Sequence, residues 1–114
     1  MKIVDILGTK YTIKQYAEKD HPLLNGMNRD GCIDVSTKEI VLREKTPDCD
    51  LQDYESYQKA VLRHELVHAF LYESGLDSSS FGFSGAWATN EEMVDWIAIQ
   101  FPKMLKVFDE VGCL

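Results

Sequence analysis

Long apolar runs are missing from this 114-residue chain: no stretch is long enough to span a bilayer, so no membrane partner is expected. The opening MKIVDILGTKYTIK lacks the extended hydrophobic core and small-residue cleavage site of a secretory leader. Cysteine is sparse. Cys32, Cys49 and Cys113 are odd in number and form no C-x-x-C pair, so a disulfide framework is not expected and a reducing, cytoplasmic setting suits the chain. Positive charge is in deficit too. Twelve Lys and Arg against nineteen Asp and Glu leave a formal charge of −7, which argues against a phosphate-backbone binder, so nucleic acid is not an expected partner.

What remains is the composition of a globular protein, 45% hydrophobic and 27% charged, at a length that fills one domain over 1–114. The first half reads as strands. Ile3 to Leu7 is apolar, Gly8 and Thr9 look like a turn, and Tyr11 and Ile13 alternate with Thr12 and Lys14, giving a first hairpin. Turn formers then crowd the stretch from Glu18 to Gly31, with Pro22, Asn25, Gly26, Asn28 and Asp30, which predicts a loop. Ile33, Val35, Ile40 and Leu42 around Ser36 and Thr37 predict a second hairpin with one buried face. The fold class expected is α+β: a small antiparallel sheet of N-terminal hairpins packed on two main helices.

Beyond Pro47 the apolar period lengthens to that of a helix. Asp50 is a candidate N-cap, Leu62, Leu66, Ala69 and Phe70 form the buried stripe, and Gly75 is a natural terminator. The serine- and glycine-rich segment 77–85 predicts a connection, in which Phe81 and Phe83 either line a lid or tuck against the domain. A final helix is expected from about Thr89, apolar on most sides through Val94, Trp96, Ile97, Ala98, Ile99 and Phe101 and therefore largely buried. Pro102 should end or kink it, with Lys103 to Val111 as a separate or bent piece.

Chemistry concentrates in His64-Glu65-Leu66-Val67-His68, an H-E-x-x-H motif inside a stretch free of proline and glycine. Residues four apart on a helix share a face, so His64 and His68 can offer two imidazole nitrogens to one metal ion, with Glu65 beside it as general base. Two of the chain's three histidines are spent here, in an otherwise apolar run where polar groups need partners. Zinc suits such a site, since a catalytic zinc takes three protein ligands and keeps a position for water.

The longer H-E-x-x-H-x-x-G-x-x-H form is closed to this chain, which has Leu71 and Ser74 at the required glycine and histidine. The third ligand is sought instead in the final helix. With Thr89 as N-cap, Glu92 falls at the capping-box position, while Glu91 lines up with Val94, Asp95 and Ala98 and is expected to point inward as the metal ligand. Asp95, one turn later, is the candidate acceptor for the outer N–H of a metal-bound imidazole. For the developing oxyanion, Tyr54, Tyr57, Tyr72 and His21 are all conceivable donors, and His21, next to Pro22, is most simply a solvated side chain.

With these residues in place, GCIDVSTKEIVLRE, HELVHAFLYESG and EEMVDWIAIQFP together resemble the ImmA/IrrE-type metallopeptidases of phages and other mobile elements. The resemblance implies a minimal zincin-like domain, zinc as cofactor, His64, His68 and Glu91 as ligands and Glu65 as catalytic acid/base. Val94, Asp95 and Ile97 stand where that family more often has Ala, Asn and Phe. A protein or peptide substrate is implied, a repressor of a mobile element among the candidates. The alternative is a zinc-stabilised binding or regulatory module without catalysis, which would share the ligands but has no use for Glu65 as a base.

Overall fold

A computed structural model describes residues 1–79 and 90–114. In chain order the elements are β1 (Lys2–Ile6), β2 (Thr9–Tyr16), a 3-10 turn (Glu18–Asp20), β3 (Gly31–Asp34), β4 (Glu39–Arg43), α1 (Tyr54–Glu73), the single turn α2 (Leu76–Ser79) and α3 (Glu91–Glu110). The α+β class holds, and the four strands form one sheet in the order β1-β2-β4-β3.

Both hairpins form, but the sheet is mixed rather than antiparallel. β1 pairs antiparallel with β2, β3 with β4, while β2 and β4 run parallel with Ile13 opposite Ile40. The cause lies in segment 17–30, which carries the chain past the sheet so that β3 becomes an outer edge and β4 returns between β3 and β2. The first turn also differs from expectation: Leu7 and Gly8 occupy it, both with positive φ (52° and 95°), the conformation a two-residue hairpin requires. In the second turn Asp34 Oδ1 accepts from Ser36 N at 3.0 Å and Ser36 Oγ at 2.5 Å, which fixes the reversal before Lys38.

Both faces of β4 are covered. Ile40 and Leu42 join Val4, Ile6, Tyr11 and Ile13 on the face that receives Leu62, Leu66, Ala69 and Phe70 of α1 and Met104, Val107 and Phe108 of α3. Val41 points the other way, into a small second cluster with Leu24 and Cys32. The expected single buried face is therefore doubled at β4, because Leu24 in the turn-rich segment is driven under the sheet by its own apolar surface.

Helix α1 starts later than expected. Asp53, not Asp50, is the N-cap and accepts from Ser56 N at 3.1 Å, and the helix ends before Gly75, which adopts φ 83°. Asn90 caps α3, its side chain accepting from Met93 N at 2.8 Å, so Met93 rather than Glu92 stands at the third helical position and the expected Glu92 capping box does not form. Thr89 lies outside the described residues, as do Phe81 and Phe83.

Pro102 does not end α3, which runs on as one 20-residue element. Ala98, whose carbonyl loses its donor to the proline, is exposed, so water can satisfy it. The expected burial of α3 is corrected as well. Only its C-terminal half inserts into the core, and Ile97, Ile99 and Phe101 are 50%, 62% and 49% exposed. In the first half Trp96 packs against the core and donates its indole N–H to Ser74 Oγ at 2.8 Å. Among the described residues, no helix is long and apolar enough to cross a membrane.

Candidate metal centre and groove

Position along α1 decides what each motif residue can do. Leu62, Leu66 and Ala69 take the side of the helix against the sheet, which rotates His64 and His68 to the opposite, exposed side. The histidines are thus not enclosed by apolar neighbours, contrary to the expectation from the run around them. Their Nε2 atoms converge to 3.1 Å, with ring centroids 4.8 Å apart and planes at 71°.

Two nitrogens bound tetrahedrally to one zinc stand about 3.3 Å apart, given a metal–nitrogen distance of about 2.0–2.1 Å. The pair fits that spacing. Without a cation, the same separation suits one N–H···N bond between neutral rings. Two ligands are supplied in this way; among the described residues no group of three or more His, Cys, Asp or Glu is arranged to hold a metal ion. Glu91 opens α3 and is exposed, as are Glu92 and Asp95, so the inward orientation expected of Glu91 is not seen. The reason is the stand-off of the first half of α3 described above.

Glu65 behaves differently from its neighbours. It turns toward β3 and is the buried charged residue of the core, 7% exposed. Burial pushes its carboxyl above the usual range, and the neighbouring His64, His68 and Arg29 pull the other way. A carboxyl whose proton affinity is raised by burial, set beside two convergent imidazoles, is placed to accept a proton.

Gly31 makes this placement possible. A methyl group there would lie 2.7 Å from Val61 Cγ1, 3.2 Å from the Val41 carbonyl oxygen and 3.5 Å from Glu65 Cγ. Only glycine lets edge strand β3 approach α1 at this point. Between them opens a groove of about 450 Å³ lined by Arg29, Asp30, Gly31, Ala60, Val61, His64 and Glu65.

None of the four candidate oxyanion donors lines this groove. Tyr54 donates to the Arg43 carbonyl at 2.6 Å, Tyr57 donates to the Asp30 carboxylate, and the Tyr72 ring lies under the Lys38 ammonium at 4.8 Å. His21, expected to be solvated, is instead a clasp on the far face of the sheet. Its Nε2 lies 3.1 Å from Glu39 Oε1, Leu23 N donates to its Nδ1, and its ring packs on Tyr16.

The residues that sequence reasoning did not reach are Arg29, Asp30, Gly31, Ala60 and Val61. Their only sequence signal was Gly31 at the entry to a strand, a place where a close approach of backbone is common. Comparison with protein-family models, curated proteins and solved structures finds no match. The resemblance stated above therefore rests on the motif residues alone.

Proposed function

We propose that the chain is a zinc-dependent peptidase of minimal zincin-like design, acting in the cytoplasm on a protein substrate for which a mobile-element repressor is the leading class. The observation that carries the reading is the 3.1 Å convergence of His64 and His68 Nε2 beside the buried carboxylate of Glu65. His64 and His68 would hold the ion. Glu91 is the proposed third ligand, which requires the first turn of α3 to close onto the exposed face of α1, and Asp95 would then orient an imidazole from behind. Bound zinc supplies a Lewis acid that acidifies water and polarises a carbonyl.

The protein's own groups do the rest. Glu65 takes a proton from the attacking water on its carboxylate and returns it to the departing amine. The outer edge of β3, unpaired among the described residues, offers backbone donors and acceptors to an extended peptide beside that carboxylate. Burial of Glu65 excludes bulk water from one side of the proton transfer.

One observation favours the alternative, a zinc-stabilised binding module: Ile97, Phe101 and Leu105 leave apolar surface exposed along α3. Glu65 separates the two readings. Zinc-loaded wild type incubated with a mixture of unstructured peptides should produce cleavage products detectable by mass spectrometry, and Glu65→Gln should not. Absent cleavage in both, with zinc bound in both, would transfer the site to the binding module, and equal cleavage in both would remove Glu65 as the base.

A further inference from the structure

The groove beside His64 and Glu65 carries one cationic side chain that no ion pair ties down among the described residues. One acidic group, Asp30, lines it besides the buried Glu65, and Asp30 is already committed, to Arg43 Nη2 at 2.6 Å and to the Tyr57 hydroxyl. Of the chain's three arginines, Arg43 is bound to Asp30 and Glu18, and Arg63 donates to the Cys113 carbonyl. Arg29 is the one left over. It is exposed on the turn leading into β3, leans on the Cys32 thiol, and has no carboxylate within ion-pair distance among the described residues.

Among the described residues, Arg29 is the one Lys or Arg side chain that lines the groove. With a formal charge of −7, the chain as a whole repels anions, and its acidic residues outnumber its basic ones nineteen to twelve. A cation at the groove offsets that repulsion locally and gives an anionic group a partner there. Guanidinium also has the planar fork that pairs with a carboxylate through two parallel hydrogen bonds.

We propose that Arg29 forms a carboxylate-binding subsite, so that the peptides taken by this groove carry an acidic side chain or a free C-terminal carboxylate close to the bond held at Glu65. The inference rests on the peptidase reading for the word bond, and on the groove alone for the carboxylate. Arg29 stands two residues before Gly31, which itself abuts Glu65, and it lines the same groove as Glu65. The anionic group consequently belongs within a residue or two of the reacting carbonyl. A purely supporting role, in which Arg29 only steadies the charge of Glu65, predicts no dependence on ligand charge at all.

Equilibrium binding tests this without turnover. In a Glu65→Gln background, fluorescein-labelled eight-residue peptides are titrated by anisotropy; all are randomised over neutral residues except for one fixed Glu or Gln, and each is made with a free and with an amidated C-terminus. The Glu set, or the free-carboxylate set, should bind roughly tenfold more tightly than its neutral counterpart. Arg29→Gln should erase that preference, Arg29→Lys should keep part of it, and raising the ionic strength should shrink it. Which set shows the preference assigns the source of the carboxylate. A preference that survives Arg29→Gln, equal binding of charged and neutral sets, or no binding up to millimolar peptide overturns the subsite. Zinc calorimetry on the same wild-type sample keeps the two claims apart: a charge preference without zinc binding sustains the subsite and removes the peptidase.

Discussion

Replacing Gly31 by alanine puts the contact between β3 and α1 to a quantitative test. The added methyl would sit 2.7 Å from Val61 Cγ1, well inside van der Waals contact, and 3.2 Å from the Val41 carbonyl oxygen. Neither neighbour can yield cheaply. Val61 is β-branched on a helix, where a single χ1 rotamer dominates, and the Val41 oxygen belongs to the sheet ladder. Overpacking of this kind costs about 1–3 kcal/mol. With a urea slope of about 1–3 kcal/mol/M for a protein of this size, the denaturation midpoint should fall by roughly 1 M at an unchanged slope. Gly31→Ala combined with Val61→Ala should be less destabilised than the sum of the two single variants, because the second substitution removes the obstructing methyl. A Gly31→Ala midpoint equal to wild type, or strict additivity in the double variant, would refute the close approach that seats Glu65 in the groove.

Other expectations follow from the same contacts. Burial works to raise the carboxyl of Glu73, but hydrogen bonds from Tyr11 at 2.6 Å, from Thr9 and from Lys38 at 3.0 Å outweigh it and hold the group below its usual range. A folded-state value below the unfolded one stabilises the fold above the unfolded carboxylate pKa of about 4.3 and loses that contribution as pH falls through the folded value. Urea midpoints measured from pH 7 down to pH 3 should therefore drop more steeply for wild type than for Glu73→Gln. Asn90→Ala removes the α3 cap and should cost about 1 kcal/mol by urea denaturation, while Glu92→Ala, with no capping box to lose, should cost less. Glu91→Ala should abolish stoichiometric zinc uptake by elemental analysis and Glu92→Ala should not; the reverse result would move the third ligand to the neighbouring carboxylate.

Local chemistry was legible in the sequence and tertiary proximity was not. The α1 stripe, its stop at Gly75 and the H-E-x-x-H pair depend on helical spacing alone, which the chain writes directly. Strand order depends on where segment 17–30 goes. Its turn residues announced a loop, but the pull of Leu24 under the sheet and the His21 clasp on Glu39 are contacts between distant residues. The final helix shows the converse: an apolar pattern states which surface could be buried, not what buries it, so Ile97 and Phe101 looked like core and are exposed. Asp53 and Asn90 displaced the expected caps because neighbouring polar residues compete for the same helix end, and a shift of three residues or one decides which carboxylate faces where. The groove residues Arg29 and Gly31 gained their meaning only when β3 was laid against α1.

The central claim is that His64 and His68 share a metal ion, and isothermal titration of zinc into the wild type, His64→Ala and His68→Ala tests it most directly. Wild type should bind one zinc per chain, and either substitution should abolish that stoichiometric binding while circular dichroism shows the fold retained. Failure of the wild type to bind zinc, or binding that is the same in all three proteins, would contradict it.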